Sequence, residues 1–150
     1  RSDMHEIVSI TEESIRGFGH ILHHCIKTPT FDNKEFTFTS DVFVFSAQLE
    51  MSVGILTAYR REIKIDCLEA HDETEEMLFQ LENDAVIFLA QANSPEDIHG
   101  FFFKQGEAIV LNPGTWHWVP FPDRDAQCKT IVIFKKGTGE NDSKFFNPKI

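Results

Sequence analysis

From Phe36 onward, apolar and polar residues alternate with a period of two, Phe36 and Phe38 interleaving with Thr37 and Thr39 in EFTFTSDVFVF. Successive side chains of an extended chain point to opposite faces, so this alternation predicts a sheet with one face on a core. The run then becomes apolar on both faces, as expected of a strand enclosed in a sandwich or barrel. Further runs of this kind are VGILTAY, IKIDCLEAH, EEMLFQLE, AVIFLAQA, IHGFFFK, EAIVLN, TWHWVPF and TIVIFKK. The connections ENDA, ANSPED, KQGE and NPGT are short and carry the Asn, Asp, Pro and Gly that tight turns need. Ahead of the β pattern, TEESIRGFGHIL opens with Thr11, sets Glu12 and Glu13 in a first turn and soon meets Gly17 and Gly19, which predicts one short helix. The whole pattern predicts an all-β barrel or jelly roll, one domain over residues 1–150, with the helix packed outside it. Phe43, Phe45, Ile55, Phe79, Ile87, Ile109 and Ile133 are its expected buried residues. The tail GTGENDSKFFNPKI reads as a loosely docked terminus.

Composition agrees with a packed domain. The chain has 150 residues, 41% of them hydrophobic, with 15 Phe, enough for a core that buries roughly 70% of the unfolded chain's surface. Lys and Arg total 14 against 24 Asp and Glu, a formal net charge of −10, so phosphate backbones and anionic lipid are poor partners. An acidic substrate therefore needs a local basic pocket. Cys25, Cys67 and Cys128 are odd in number and widely spaced, which argues against a disulfide framework and for a reducing cytoplasm. No apolar run approaches the ~20 residues that span a bilayer, and no secretory leader is expected.

Chemistry concentrates in two hairpins. In EAHDETEEMLFQLEND, Glu69 and His71 share a strand face, and Glu76, Leu78 and Gln80 share another after the turn. In QGEAIVLNPGTWHW, a turn at Asn112, Pro113 and Gly114 leads to His117, which alternation places on the face opposite Trp116 and Trp118. The two hairpins resemble the two cupin motifs: Gly106, Gly114 and His117 match the second, and His71 and Glu76 match part of the first. Each residue also has a plainer reading, a hydrogen-bonded strand histidine or a solvated acidic corner at Glu75 and Glu76. HILHHC groups His20, His23, His24 and Cys25, but without the glutamate of a HExxH helix it is a weak metal signal.

Within the cupins the chain resembles the ureidoglycolate lyase family, also called ureidoglycolate hydrolase. ITEESIRGFGHIL, LEAH with Glu76 five residues after His71, GTWHW, and GTGENDSKFF are similar to that family's phrases in the same order. The resemblance implies a cupin-type jelly-roll barrel and elimination of urea from ureidoglycolate to give glyoxylate. It implies a site in which His71, Glu76 and His117 hold one divalent metal, Zn, Ni, Mn or Fe by ligand type. Glu69 would orient the substrate or accept a proton, and Arg60 or Lys104 would guide the acid group. The chain departs from the family at Glu76, where a Gln is usual, at Trp118, where a second His is usual, and in the strand that reads GILTAYRR, where an Arg is usual. Arg60 and Arg61 are neighbours there and face opposite ways, so only one can enter a barrel. Another metal-dependent cupin, such as a sugar isomerase or epimerase, and a non-catalytic ligand-binding cupin are the alternatives. The expected partner is a small molecule, a carboxylate or a sugar, and the Phe-rich strands suit a homodimer.

Overall fold

The computed structural model describes residues 13, 27–44 and 49–148. Twelve strands and one helical turn follow in order: β1 (Phe31–Asp32), β2 (Phe36–Val44), β3 (Met51–Tyr59), β4 (Leu68–Ala70), β5 (Glu76–Glu82), β6 (Ala85–Ala90), β7 (His99–Phe103), β8 (Ala108–Leu111), β9 (Trp116–His117), β10 (Phe121–Pro122), β11 (Gln127–Lys135), α1 (Thr138–Asn141) and β12 (Lys144–Phe146). Glu13 is helical, whereas the rest of the expected early helix, the HILHHC cluster and Phe45 lie outside the described residues. So does the side chain of Phe43.

The strands form two antiparallel sheets. One has the order β1-β2-β3-β11-β5-β8; the other runs β10-β6-β9-β4-β12, with β7 also on β6. The expected barrel or jelly roll is present as a pair of facing antiparallel sheets that do not close into a barrel. Strands of two or three residues, β4, β9, β10 and β12, are too short to carry a hydrogen-bond ladder from one sheet into the other. The core lies between the sheets: Leu56, Ala58, Leu78, Leu111, Cys128, Val132 and Phe134 come from the first, Ala85, Ile87 and Phe103 from the second. A smaller cluster of Leu68, Ala70, Ala90 and Trp116 covers the other side of the second sheet.

Alternation decides which predicted core residues are inside. Ile55 and Ile87 are buried, but Phe79, Ile109 and Ile133 are only half-buried. On β5 the inward set is Glu76, Leu78 and Gln80, and on β11 it is Cys128, Thr130, Val132 and Phe134, which leaves Phe79 and Ile133 on the outer face. Gln80 and Thr130 occupy inward positions because each satisfies the other: the Thr130 hydroxyl donates to Gln80 Oε1 at 2.6 Å, and Gln80 Nε2 donates to the Asn83 carbonyl at 2.9 Å. Asn83 takes φ 64 in the β5–β6 turn, a left-handed conformation that Asn tolerates.

The tail is not loose. β12 pairs with β4 in the register Lys144↔Ala70, Phe145↔Glu69 and Phe146↔Leu68.

Burial pushes the Cys128 thiol up to about 11 and also raises that of half-buried Cys67, helped by Glu69 and Asp66. Alkylation by iodoacetamide at pH 8 should therefore reach Cys67 slowly and Cys128 only on unfolding, which peptide mapping across a denaturant series would check.

Candidate metal centre

Three short pieces of chain converge on one point between the sheets. β4 carries Glu69, and His71 follows it on the same face. The β4–β9 register sets Glu69 directly opposite His117, so all three side chains lie on the inner side of the second sheet. Glu76, the first residue of β5, comes from the first sheet and faces them.

The turn before β9 is tied to the turn after β4. Gly114 has φ +83, and its amide donates to the His71 carbonyl at 2.7 Å. A side chain there would both strain the backbone and press on Ala92 and Asp72, with a Cβ lying 3.1 Å from Ala92 Cβ and 3.4 Å from Asp72 Oδ1.

His71 Nε2 is 3.1 Å from Glu76 Oε2 and 3.8 Å from Glu69 Oε1. His117 Nε2 is 3.4 Å from Glu76 Oε2 and 3.6 Å from Glu69 Oε1. The imidazole centroids are 5.1 Å apart. Donor atoms of Glu69, His71 and His117 lie within 4.8 Å of one another, a span one ion can bridge. His71, Glu76 and His117 are buried, whereas Glu69 keeps 28% of its side-chain surface.

The far side of each ring is fixed by a carbonyl. His71 Nδ1 is 2.7 Å from the Asp142 carbonyl, and His117 Nδ1 is 3.0 Å from that of Thr115. A carbonyl can only accept, so each Nδ1 carries a proton and, in the neutral ring, each Nε2 presents its lone pair to the shared point. This is the arrangement that metal-bound histidines use. Glu76 Oε2 and His117 Nε2 are buried and make no hydrogen bond of acceptable geometry, so their close approach is a contact of charges. A buried donor set left unsatisfied in this way fits a divalent cation. By ligand type, two imidazoles and two carboxylates suit Mn, Fe, Ni or Zn.

Without metal, the site stores protons. Burial works to discharge His117, but the Glu76 carboxylate and the contacts with Glu69 and Glu76 outweigh it and hold the imidazole well above its ordinary range. His71 is raised too, against burial, by Glu76 and the Asp142 carbonyl. Burial would raise Glu76, yet the two histidines bring it down to about 2. A metal binds neutral imidazole, so affinity should climb as pH rises through the elevated imidazole range. Isothermal titration in buffers of differing ionisation enthalpy would count the protons released.

The C-terminal segment was not part of the expected site, and it is built into it. The Asp142 carboxylate accepts from the amides of Asp72 at 3.1 Å and Glu73 at 2.8 Å, while its carbonyl orients His71. Asp142→Ala should cost roughly 1.5–3 kcal/mol, the range for hydrogen bonds to a charged group, and weaken divalent metal binding about tenfold by loosening His71. Chemical denaturation and metal titration would read the two effects. The resemblance covers this stretch, GTGENDSKFF, but gives Asp142 no role in the site, because that role depends on β12 returning to β4.

Other expected site residues are not brought here. Arg60 is exposed and donates to the Arg124 carbonyl at 2.6 Å, and neither it nor Lys104 lines the cavity. Trp118, expected on the side of Trp116, packs against the cluster that holds Trp116 and also lines the cavity, because β9 ends at His117 and regular alternation ends with it.

Solved structures share this fold. Oxalate decarboxylase of Bacillus subtilis aligns with a TM-score of 0.57 and 12% identity over 81% of this chain and 30% of its own. CapF, solved with the inhibitor 3-isopropenyl-tropolone, aligns with a TM-score of 0.57 and 15% identity over 80% of this chain and 34% of its own. Another structure of the decarboxylase describes its Mn(II) centres, with a TM-score of 0.57 and 12% identity. These neighbours are cupin-fold proteins, and the likeness shows that fold for this chain. This chain spans about a third of the length of each. No protein-family model and no curated protein matches the chain, and the particular resemblance to ureidoglycolate lyases finds no support in the neighbours.

Proposed function

We propose that the protein is a metal-dependent cupin enzyme acting on a small molecule, with one divalent ion held by His71, His117 and Glu76. The observation that carries this reading is the pair of Nε2 atoms, each fixed from behind by a carbonyl and aimed at the same buried carboxylate. A bound divalent ion there supplies a Lewis acid for a substrate oxygen. Glu69, the most exposed carboxylate of the group and 3.6 to 3.8 Å from the two imidazoles, is placed to accept a proton from the substrate. Thr115, Asp142 and Gly114 position the rings through backbone contacts.

The urea elimination implied by the resemblance needs a cation for the substrate carboxylate. Among the described residues no lysine or arginine lines the cavity, so we place that reaction behind the general one. A sugar isomerase would need several partners for its substrate's hydroxyls, and the described lining residues are mostly apolar.

Metal analysis of the purified protein, followed by titration of the metal-free form with Mn, Fe, Ni and Zn, tests the proposal. Glu76→Gln should weaken binding by about 10- to 100-fold, whereas Glu69→Gln should weaken it less and lose turnover. Equal metal retention by Glu76→Gln and the parent rejects Glu76 as a ligand, and failure of the parent to take up any of the four ions rejects the reading. A protein that binds metal and ligand but turns over nothing would be the non-catalytic cupin.

A further inference from the structure

The cavity in front of the two histidines limits what can reach them. Its volume is about 400 Å³, near the lower end of the roughly 300–1,000 Å³ of small-molecule sites. Its wall is mostly apolar, with Phe36, Phe38, Leu56, Trp118, Val132 and Phe134 among the lining residues. Several of the polar atoms that the described residues place away from the histidines are committed elsewhere. Thr130 donates to Gln80, Asn33 Oδ1 accepts from the amides of Glu35 and Phe36, and Glu35 pairs with Arg61 at 3.5 Å.

Arg61 bonds to three lining residues, Glu35, Val119 and Pro120, but does not itself line the cavity. Its guanidinium donates to the carbonyls of Val119 and Pro120 at 3.1 Å each and sits 3.9 Å over the Phe121 ring. It therefore holds the wall from behind. Two carboxylates, Glu69 and Glu76, balance the charge of a divalent ion, so among the described residues even the loaded site has no net positive charge to offset a buried anion. Placing an uncompensated carboxylate or phosphate among aromatic walls is costly.

We propose that the site takes a neutral, largely apolar molecule of one or two rings that presents a hydroxyl or carbonyl oxygen to the histidine end, and that it rejects carboxylates, phosphates and sugars. Only the oxygen end rests on the proposed metal centre; the selection against charge rests on the walls.

Probes of matched shape separate the two. Binding of 2-naphthylmethanol, 2-naphthoate and glucose would be followed by quenching of tryptophan fluorescence, since Trp118 lines the cavity, in both the metal-free and the Zn-loaded protein. The alcohol should bind at least about tenfold more tightly than the carboxylate in both forms, given the cost of desolvating an unpaired charge, and glucose should not compete. Phe145 also lines the cavity yet is 62% exposed, so Phe145→Ser should fold normally and weaken the alcohol by about three- to tenfold through loss of an aromatic contact. Naphthoate binding as tightly as the alcohol, displacement by glucose, no binding of the alcohol, or an unchanged affinity in Phe145→Ser would each overturn the proposal. A preference for the alcohol in a protein that takes up no metal would leave this inference standing while the metal reading fails.

Discussion

His117→Ala should lower affinity for a divalent metal by more than about 100-fold, beyond the 10- to 100-fold typical of changes behind a ligand, because it removes a donor itself. His117 lies on β9 between Glu69 on β4 and Leu89 on β6, its Nε2 the one imidazole nitrogen that second hairpin contributes. The metal-free protein gives an independent readout. His117 has a folded pKa well above its ordinary value, set against burial by Glu76 and Glu69. A group raised in this way stabilises the fold fully below its unfolded value, about 6.5, and loses that contribution as pH climbs through the folded value. The metal-free parent should therefore exceed His117→Ala in stability at pH 6 by more than it does at pH 9. Urea unfolding at the two values measures the difference, and a gap that widens with pH would show that His117 is not paired with Glu76 as the structure has it.

The sequence held the parts of this centre that depend on local spacing. Gly114 followed three residues later by His117, and Glu69 two residues before His71, are strand and turn arithmetic that survives folding. What it could not show depends on where short strands end and which distant segments return. Trp118 packs against the Trp116 cluster as alternation expects, yet it also reaches the cavity, because a two-residue strand gives alternation nothing to act on beyond His117. Asp142 sits in a polar, glycine-containing stretch that reads as a free tail until β12 pairs with β4. Gln80 and Thr130 are polar at inward positions where a strand pattern leads one to expect apolar residues, and their mutual hydrogen bond is visible only across the β5–β11 pair. Arg60 was offered as a substrate cation on the strength of its position in a strand that ends one residue earlier, at Tyr59, and it turns instead to the Arg124 carbonyl.

Trp116→Ala should cost about 3–5 kcal/mol, the range for a buried Trp or Phe cut to alanine. The ring is 7% exposed and belongs to the cluster of Leu68, Ala70 and Ala90 behind the second sheet. It lies 5.9 Å from the Phe146 ring, tilted by 55°, and Lys144 Nζ sits 5.2 Å from its centroid. Both contacts come from β12, so the indole is what the C-terminal strand packs on. Its Nε1 donates to the Ala92 carbonyl at 3.1 Å, joining the β6–β7 connection to the same cluster. Against a total stability of about 5–15 kcal/mol for a native protein, such a loss would leave a marginal fold. The consequence should extend to the site, because β12 follows directly on Asp142, whose carbonyl orients His71. Trp116→Phe should fall between parent and alanine variant, since it keeps most of the apolar contact but leaves the Ala92 carbonyl without its donor. Urea unfolding would show the midpoint falling in that order at an unchanged slope, with metal affinity weakening in the same order. A Trp116→Ala protein as stable as the parent would mean that β12 is held by its ladder to β4 and by Asp142 rather than by the indole.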